Sequence, residues 1–449
     1  MDILDVWFES GASSHAVLDF DPDTQQAAGD PDPRADLYAE GGDQHRGWFM
    51  SSLLCSIGMH NRAPFKEVAT YGWTLDEKGR ALSKSLGNFI DPVAIMDQLG
   101  GDIVRLWVAS VDFREDVVAS LPLLKRLAEE IYRKLRNTFR FLLGSLAETD
   151  PATGESHAFD PRPMAEGGDA VPFEQMQPID QYILARTAEL TAKITKAYAD
   201  FEFHRVYHLL NEFCNSELSA FYLDVLKDRL YTFPIKFKPG HEYQRELYLA
   251  RRSAQTAIYK ITDALARLTA PILSFTADEV YQSLPGTSGS VHLQLFPRPS
   301  DLVNLSGEEL NTMLTEWGYL AQARSGALNQ LEAMRARKEI GKALEAELHL
   351  HYAPATANSS TRVLVKYQDS LAEILGVSTA TISAVESLPE GIAQFAEGHP
   401  QKSEHEKCDR CWRHVPDVGH NANYPTVCLR CAEALDAIDF PPYPVPSSS

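Results

Sequence analysis

Cys408, Cys411, Cys428 and Cys431 stand as two Cys-x-x-Cys pairs in "CDRCWRHVPDVGHNANYPTVCLRC", with sixteen residues between the pairs. A two-residue gap mounts both sulfurs of a pair on one tight turn, and two such turns complete a tetrahedral thiolate site for zinc. Two disulfides are disfavoured, because the opening "MDILDVWFES" lacks the basic and then apolar stretch of a secretory signal. An iron–sulfur cluster draws on the same ligands; one structural Zn2+ is the expectation. With all four positions filled by protein, the metal supplies folding energy to a segment too small for its own core, and His414 and His420 are not needed as ligands. The other cysteines, Cys55 and Cys214, lie in apolar patterns and are expected to be buried structural thiols.

A second stretch, "GRALSKSLGN" at 79–88, sets a lysine between two serines and flanks them with glycines. Gly, Ser, Asn and Lys are ordinary turn residues, and composition alone favours a solvated loop. The sharper reading is that Lys84 is carried on a mobile loop toward a phosphate, with Ser83 and Ser85 as hydroxyl donors.

These groups need a scaffold. At 449 residues the chain is too long for one core, so about three domains are expected. With 44% hydrophobic and 23% charged residues it has the composition of an ordinary globular protein. No stretch approaches the roughly 18 apolar residues of a membrane span, and the chain is read as cytoplasmic, with no membrane partner. A net charge of -20 argues against bulk electrostatic coating of nucleic acid. Local basic clusters remain, at Lys125, Arg126, Arg133, Lys134, Arg136 and Arg140, and at Arg335, Arg337, Lys338 and Lys342. The simpler reading of either is a solvated helix face, the first balanced by Glu129 and Glu130.

Residues 1 to about 115 alternate strand-like "FKEVATYGWTL" with helix-like "HRGWFMSSLLCSIGM", which suggests an α/β layer. Beyond it long helical periodicity takes over. From 203 to 226, Val206, Leu209, Leu210, Phe213, Phe221 and Val225 recur on one face, and 246–270 behaves similarly, predicting a helical bundle. The Pro-, Gly- and Asp-rich 150–178 and the stretch 232–243 read as solvent loops. "ELNTMLTEWGYLAQARSGALNQLEAMRARKEIG" predicts a helix, and the alternating "LEAELHLHY" a strand after it.

The chain resembles the bacterial isoleucyl-tRNA synthetases, a class I aminoacyl-tRNA synthetase family. The resemblance is carried by "LDVWFESG" at 4–11, "DLYAEGGDQHRGWFMSSLL" at 36–54, "GRALSKSLGN", "VRLWVAS" at 104–110, "FYLDVLKDRLY" at 221–231, "RRSAQT" at 251–256, "IGKALEAEL" at 340–348 and the cysteine quartet. "DQHRGWF" separates this family from the related valyl and leucyl enzymes. The implied fold is multidomain α/β plus α. Residues 1–115 are the second half of a Rossmann-like catalytic domain, 116–300 an α-helical anticodon-binding bundle, 301–400 an α+β tRNA-contacting region, and 401–449 the zinc knuckle. The loop at 79–88 resembles the class signature Lys-Met-Ser-Lys-Ser, with Ala81 and Leu82 in its first two positions and Lys84 kept.

By the same resemblance Lys84, with Ser83 and Ser85, meets ATP phosphates as isoleucine attacks, with Mg2+ accompanying the nucleotide. Glu40, Asp43 and Gln44 contact the adenylate and amino acid, and Trp7 and Trp48 wall the isoleucine side-chain pocket. Apart from the family, both tryptophans read as core residues and Glu40 as a surface charge. The other signature, His-Ile-Gly-His, and the editing insertion do not occur here, so the chain corresponds to the C-terminal half of the family's proteins. The implied partners are tRNA(Ile), L-isoleucine and ATP, with an N-terminal half supplied in trans and a monomer otherwise. Two other readings stay open: a catalytically silent tRNA-binding module, and a DNA-repair zinc-finger protein, against which "DQHRGWF" and the Lys84 loop count.

Overall fold

The computed structural model describes residues 4–18, 33–150, 153–354, 357–386 and 400–443. The chain divides into two units: Met1–Tyr132 with Phe201–Tyr207, and Arg133–Asp200 with His208–Ser449. Among the described residues no helix is long and apolar enough to cross a membrane.

In the first unit, strands Ala35–Gly41 and Phe65–Tyr71 pair in parallel. Parallel strands need a crossover, and the helix Trp48–His60 supplies it. Tyr38 anchors this layer: its ring stacks on Trp48 at 4.2 Å and leans on Phe65 at 4.9 Å, while its hydroxyl meets Ser52 Oγ at 2.9 Å. The short helix Val6–Gly11 presses on the crossover helix so closely that a Cβ on Gly11 would stand 2.8 Å from the Ser51 carbonyl carbon. A second parallel pair joins Thr74–Leu75 to Val117–Val118. Behind it, helices Pro92–Leu99 and Gly101–Ser110 bury Ile95 and Ile103 against Leu124. The α/β expectation therefore holds, as two short parallel ladders. Trp7, Phe8, Leu54, Ile57, Trp73, Leu86 and Val93 are all exposed on this unit.

The second unit is a helical bundle. Helices Pro178–Ala199 and Glu242–Thr269 bury Ile183, Leu184 and Ile194 with Ile258, Ile261 and Leu265. The face expected for 203–226 is right at Val206, Leu210, Phe213 and Val225, while Leu209 and Phe221 are only half-buried and Leu218 and Tyr222 are fully buried in the stretch between Phe213 and Val225. Phe213–Tyr222 is wound as a π-helix, whose longer repeat shifts the inward positions within that stretch to Leu218 and Tyr222. The segment 150–178 also departs from expectation, since it is not a solvent loop. Phe159, Val171 and Met176 are buried, and the Val171 and Gln177 amides donate to Thr256 Oγ1 at 3.0 Å and Ser253 Oγ at 2.8 Å. Pro, Gly and Asp here set turns in a strap that crosses the long helix Glu242–Thr269.

The helix Gly307–Ala336 starts at a reciprocal cap between Ser306 and Glu309, and its Trp317 stacks on Tyr182 at 4.5 Å. Next comes a three-stranded sheet with Ala346–Tyr352 in the centre, parallel to Thr379–Ala384 and antiparallel to Pro400–Lys402. The alternation in "LEAELHLHY" is realised directly, with Ala346, Leu348 and Leu350 facing inward.

One buried ionic network ties this unit together. Arg229 Nη1 lies 2.9 Å from Asp180 and its Nη2 lies 2.7 Å from Glu373. Asp180 also accepts the Tyr222 hydroxyl at 2.8 Å. Removing one partner of such a pair leaves the other charge buried and unpaired, at a cost of about 3–5 kcal/mol. Arg229→Ala is therefore expected to lose that much stability in urea unfolding. Lys196→Ala, which breaks a pair exposed on both sides, is expected to lose under about 1 kcal/mol. Equal losses would contradict the assignment of Arg229 as the buried tie.

Candidate functional site

The sequence-predicted residues fall into three groups. The first surrounds the turn that links strand Ala35–Gly41 to the crossover helix. A 3-10 turn, Gly42–Arg46, ends at the buried Gly47, and the helix starts at Trp48. Gln44 folds back so that its Oε1 accepts the Trp48 amide at 3.0 Å, capping a helix start that would otherwise leave donors unmet. The Trp7 ring covers the same turn: a Cβ on Gly47 would stand 2.8 Å from that ring and from Gln44 Oε1, so only glycine fits. Trp48 Nε1 donates to the Ser10 carbonyl at 3.0 Å, which fixes the indole. Glu40, half-buried, accepts the Tyr71 hydroxyl at 2.8 Å. That bond, made by the neutral phenol to a carboxylate, holds the Tyr71 hydroxyl above its usual range. Trp7, Glu40, Gln44 and Trp48 are thus gathered on one turn, with Asp43 exposed on it.

The second group is the loop after strand Thr74–Leu75, and it is less free than its composition suggests. Asp76 accepts the Arg80 amide and guanidinium, each at 2.9 Å, and the Asn88 amide at 3.0 Å. Those bonds, from Asn88 first and Arg80 next, hold the Asp76 carboxyl well below its ordinary range. Asn88 Oδ1 in turn accepts the Ser83 amide at 2.9 Å. The Ser83 and Ser85 hydroxyls pair with each other at 2.7 Å. Gly87, at φ 65°, makes the turn in the left-handed region that a side chain disfavours. Lys84 stands exposed at the tip, its Nζ 5.5 Å from the centre of the Phe89 ring and without a carboxylate partner among the described residues. Asp76 and Asn88 were missed by sequence reasoning; the turn-forming "DEKGR" was the available signal.

The third group is the cysteine quartet. All four cysteines are buried and free of disulfides. Their sulfurs lie within 4.8 Å of one another, with Cys411 and Cys428 Sγ 3.8 Å apart. Four ligands about 2.3 Å from one tetrahedral ion stand about 3.8 Å from each other. A disulfide needs about 2.05 Å. Hydrogen bonds from Cys411, Cys428 and Cys431 hold the Cys408 thiol far below its usual range, while the same crowding pushes Cys428 and Cys431 up. Four sulfurs at tetrahedral spacing, buried and unbridged, fit the donor set of one Zn2+, which would displace the remaining thiol protons on binding. Val415, Val418, Phe440 and Tyr443 pack around the cluster. Trp412, at φ 65°, is displayed from the first pair with 51% of its surface exposed, its ring beneath Lys342 Nζ at 4.4 Å. Another group of side chains with metal-ligand chemistry, His241, Glu433 and Asp436, already has a cation in Lys238, 3.0 Å from Asp436.

Comparison with known proteins matches three stretches of the chain. Residues 1–120 match the model of tRNA synthetases class I (I, L, M and V), 180–350 that of the anticodon-binding domain of tRNA ligase, and 406–434 that of the zinc finger found in FPG and IleRS. The chain thus carries class I tRNA synthetase, anticodon-binding and zinc-finger domains in that order. Within that class it resembles the isoleucine members along nearly its whole length. It is 40% identical over 442 residues to isoleucine–tRNA ligase of Syntrophotalea carbinolica, covering 97% of this chain and 43% of that protein. It is 41% identical over 445 residues to isoleucine–tRNA ligase of Halorhodospira halophila, covering 96% and 42%. The chain spans less than half the length of these relatives. Among solved structures, LeuRS of Agrobacterium radiobacter K84 in a ternary complex matches at a TM-score of 0.43 and 15% identity, covering 71% of this chain and 30% of that one.

The Asp76–Asn88 lock makes a direct prediction. Each lost hydrogen bond costs about 1 kcal/mol, so Asn88→Ala should raise amide exchange at Ser83 by roughly tenfold or more while leaving the crossover helix unchanged. Unchanged exchange at Ser83 would show that the loop is held some other way.

Proposed function

We propose that this chain acts within an ATP-dependent isoleucine–tRNA ligase, supplying its phosphate-facing loop, part of its amino-acid site and its tRNA-reading body. The observation that carries this is the similarity to isoleucine–tRNA ligases through 97% of the chain, across the Lys84 loop, the bundle and the thiolate segment alike. In this reading 1–115 belongs to catalysis, 116–300 to anticodon-stem binding, and 301–400 with 401–449 to contacts at the anticodon.

At the loop, Lys84 offers a free ammonium to ATP, with Ser83 and Ser85 as donors; Mg2+ bound with the nucleotide would supply further positive charge to the phosphates. Negative charge builds on departing pyrophosphate as the isoleucine carboxylate attacks the α-phosphorus. A cation held in place before that step lowers the barrier more than it tightens ATP binding. Glu40 suits ribose hydroxyls, and Gln44 and Asp43 the amino-acid end. Trp7 and Trp48, braced by Gly47 and Ser10, give the branched side chain a rigid apolar wall. Cys408, Cys411, Cys428 and Cys431 would hold one structural zinc ion, which contributes folding energy there. The reading carries a cytoplasmic, monomeric setting with it.

The exposed apolar surface of the first unit favours a second element. Parallel ladders are ordinarily covered on both faces, whereas Val68, on strand Phe65–Tyr71, and Trp73 are exposed here. Further chain, in the same polypeptide or in trans, is proposed to cover them and complete the nucleotide site, so that this chain alone binds tRNA without activating isoleucine.

Three outcomes are expected. The chain binds isoleucine-accepting tRNA in preference to tRNAs with other anticodons, read by filter binding, and gives no isoleucine-dependent pyrophosphate exchange. Elemental analysis finds one zinc per chain, lost in the Cys408→Ser, Cys428→Ser variant with the helical circular dichroism retained. In the complete enzyme, Lys84→Ala lowers the rate of adenylate formation far more than isoleucine affinity. Equal binding of all tRNAs, zinc retained by the variant, or an effect of Lys84→Ala confined to isoleucine affinity would each overturn its part.

A further inference from the structure

The two basic clusters seen in the sequence have different fates in the fold. In the second, Arg335 pairs with Glu332 and Arg337 with Glu339, and Lys342 lies over Trp412. In the first, Arg126 takes up Glu130. Of the remaining five, whose side chains none of the described residues engages in a hydrogen bond or ion pair, Lys125 precedes the helix Arg133–Gly144 and Lys134 is half-buried, so the exposed cations of that helix are Arg133, Arg136 and Arg140. The expected balance by Glu129 and Glu130 does not reach them.

All three lie on the helix Arg133–Gly144 and are exposed, while Leu135, Thr138, Phe139 and Leu142 bury its opposite face. Positions i, i+3 and i+7 share one helix face, and at 1.5 Å per residue they extend over about 10 Å. A row of guanidiniums is therefore displayed on a rigid, core-anchored element. Elsewhere in this acidic chain arginines commonly close short ion pairs, as Arg80, Arg162, Arg229 and Arg430 do. Arginine's planar fork matches phosphate in two-point geometry better than lysine's point charge does. The helix lies outside residues 180–350, the part that matches the anticodon-binding model.

We propose that Arg133, Arg136 and Arg140 form a phosphate track that holds the sugar–phosphate backbone of the bound tRNA. This rests on the reading of the chain as a tRNA binder. Backbone contacts of this kind position the RNA and carry no sequence information, so the track adds affinity equally for every tRNA. Discrimination stays with the bundle and the thiolate segment.

The test is the salt dependence of tRNA binding by the full 449-residue chain and its Arg133→Gln, Arg136→Gln, Arg140→Gln variant. Loss of three phosphate contacts should reduce the slope of log K against log salt by about 2 to 3, and weaken binding roughly a hundredfold at 0.1 M salt. The ratio between isoleucine-accepting and other tRNAs should stay unchanged. The corresponding triple lysine variant should keep the slope. Should the triple glutamine variant fold poorly by circular dichroism, Arg136→Gln alone is expected to reduce the slope by about 1. A wild-type slope in the glutamine variants, or a changed ratio between tRNAs, would overturn the track while leaving the tRNA-binding reading intact. Failure of the unaltered chain to bind any tRNA at low salt would overturn both. Weakened binding to anionic lipid vesicles with tRNA binding unaltered would assign the stripe to a membrane surface and so overturn it as well.

Discussion

Asp228 and Arg229 are neighbours on the helix Leu223–Thr232, and successive helical residues point about 100° apart. That angle lets one short dipeptide hold two bodies. Arg229 turns inward to Asp180 and Glu373, joining the bundle to the α+β region. Asp228 turns to Arg430, with contacts at 2.6 and 2.8 Å, and so holds the thiolate segment. Burial opposes ionisation of Asp228, but the Arg430 guanidinium and the Thr232 hydroxyl outweigh it and keep the carboxyl below its ordinary range. Arg410, from the first cysteine pair, reaches the Thr232 carbonyl on the same helix. The thiolate cluster thus has a fixed address on the bundle, and Trp412 is displayed from it at a defined position.

How much of this the sequence discloses depends on range. The cysteine quartet is legible because each pair is a local turn with its own spacing rule. The strand at 346–352 is legible because alternation is a local pattern. Asp228 and Arg229 are not, although they lie within the quoted "FYLDVLKDRLY". Their partners are 202 and 144 residues away, and on a helix surface they look like any solvated pair. The π-helical turn of Phe213–Tyr222 escapes an α-helical template for the same kind of reason. The strap at 150–178 reads as a solvent loop because Pro, Gly and Asp report turns, which occur under a covering segment as readily as in solvent.

The candidate site residues divide in a similar way. Lys84 stands out in sequence as a cation among small residues, but what organises its loop is the Asp76–Asn88 pairing across twelve positions. Trp7 and Trp48, read without the resemblance, are core residues; Trp7 is instead exposed over the Gly42–Arg46 turn, and Trp48 is half-buried, stacked on Tyr38. What the coordinates add is their relation to Gly47 and Gln44, which turns a packing cluster into a braced wall. The second unit closes its ionic network internally, and the first exposes apolar surface around its short parallel ladders.

The central claim is that the second unit is a tRNA-reading body that needs no catalytic partner to engage its RNA. A hydroxyl-radical footprint of this chain on isoleucine-accepting tRNA tests it most directly. The account predicts protection of the anticodon loop and of the adjoining stem backbone, with the acceptor end left fully cleaved. Protection confined to the acceptor end, or none anywhere at low salt, would contradict it.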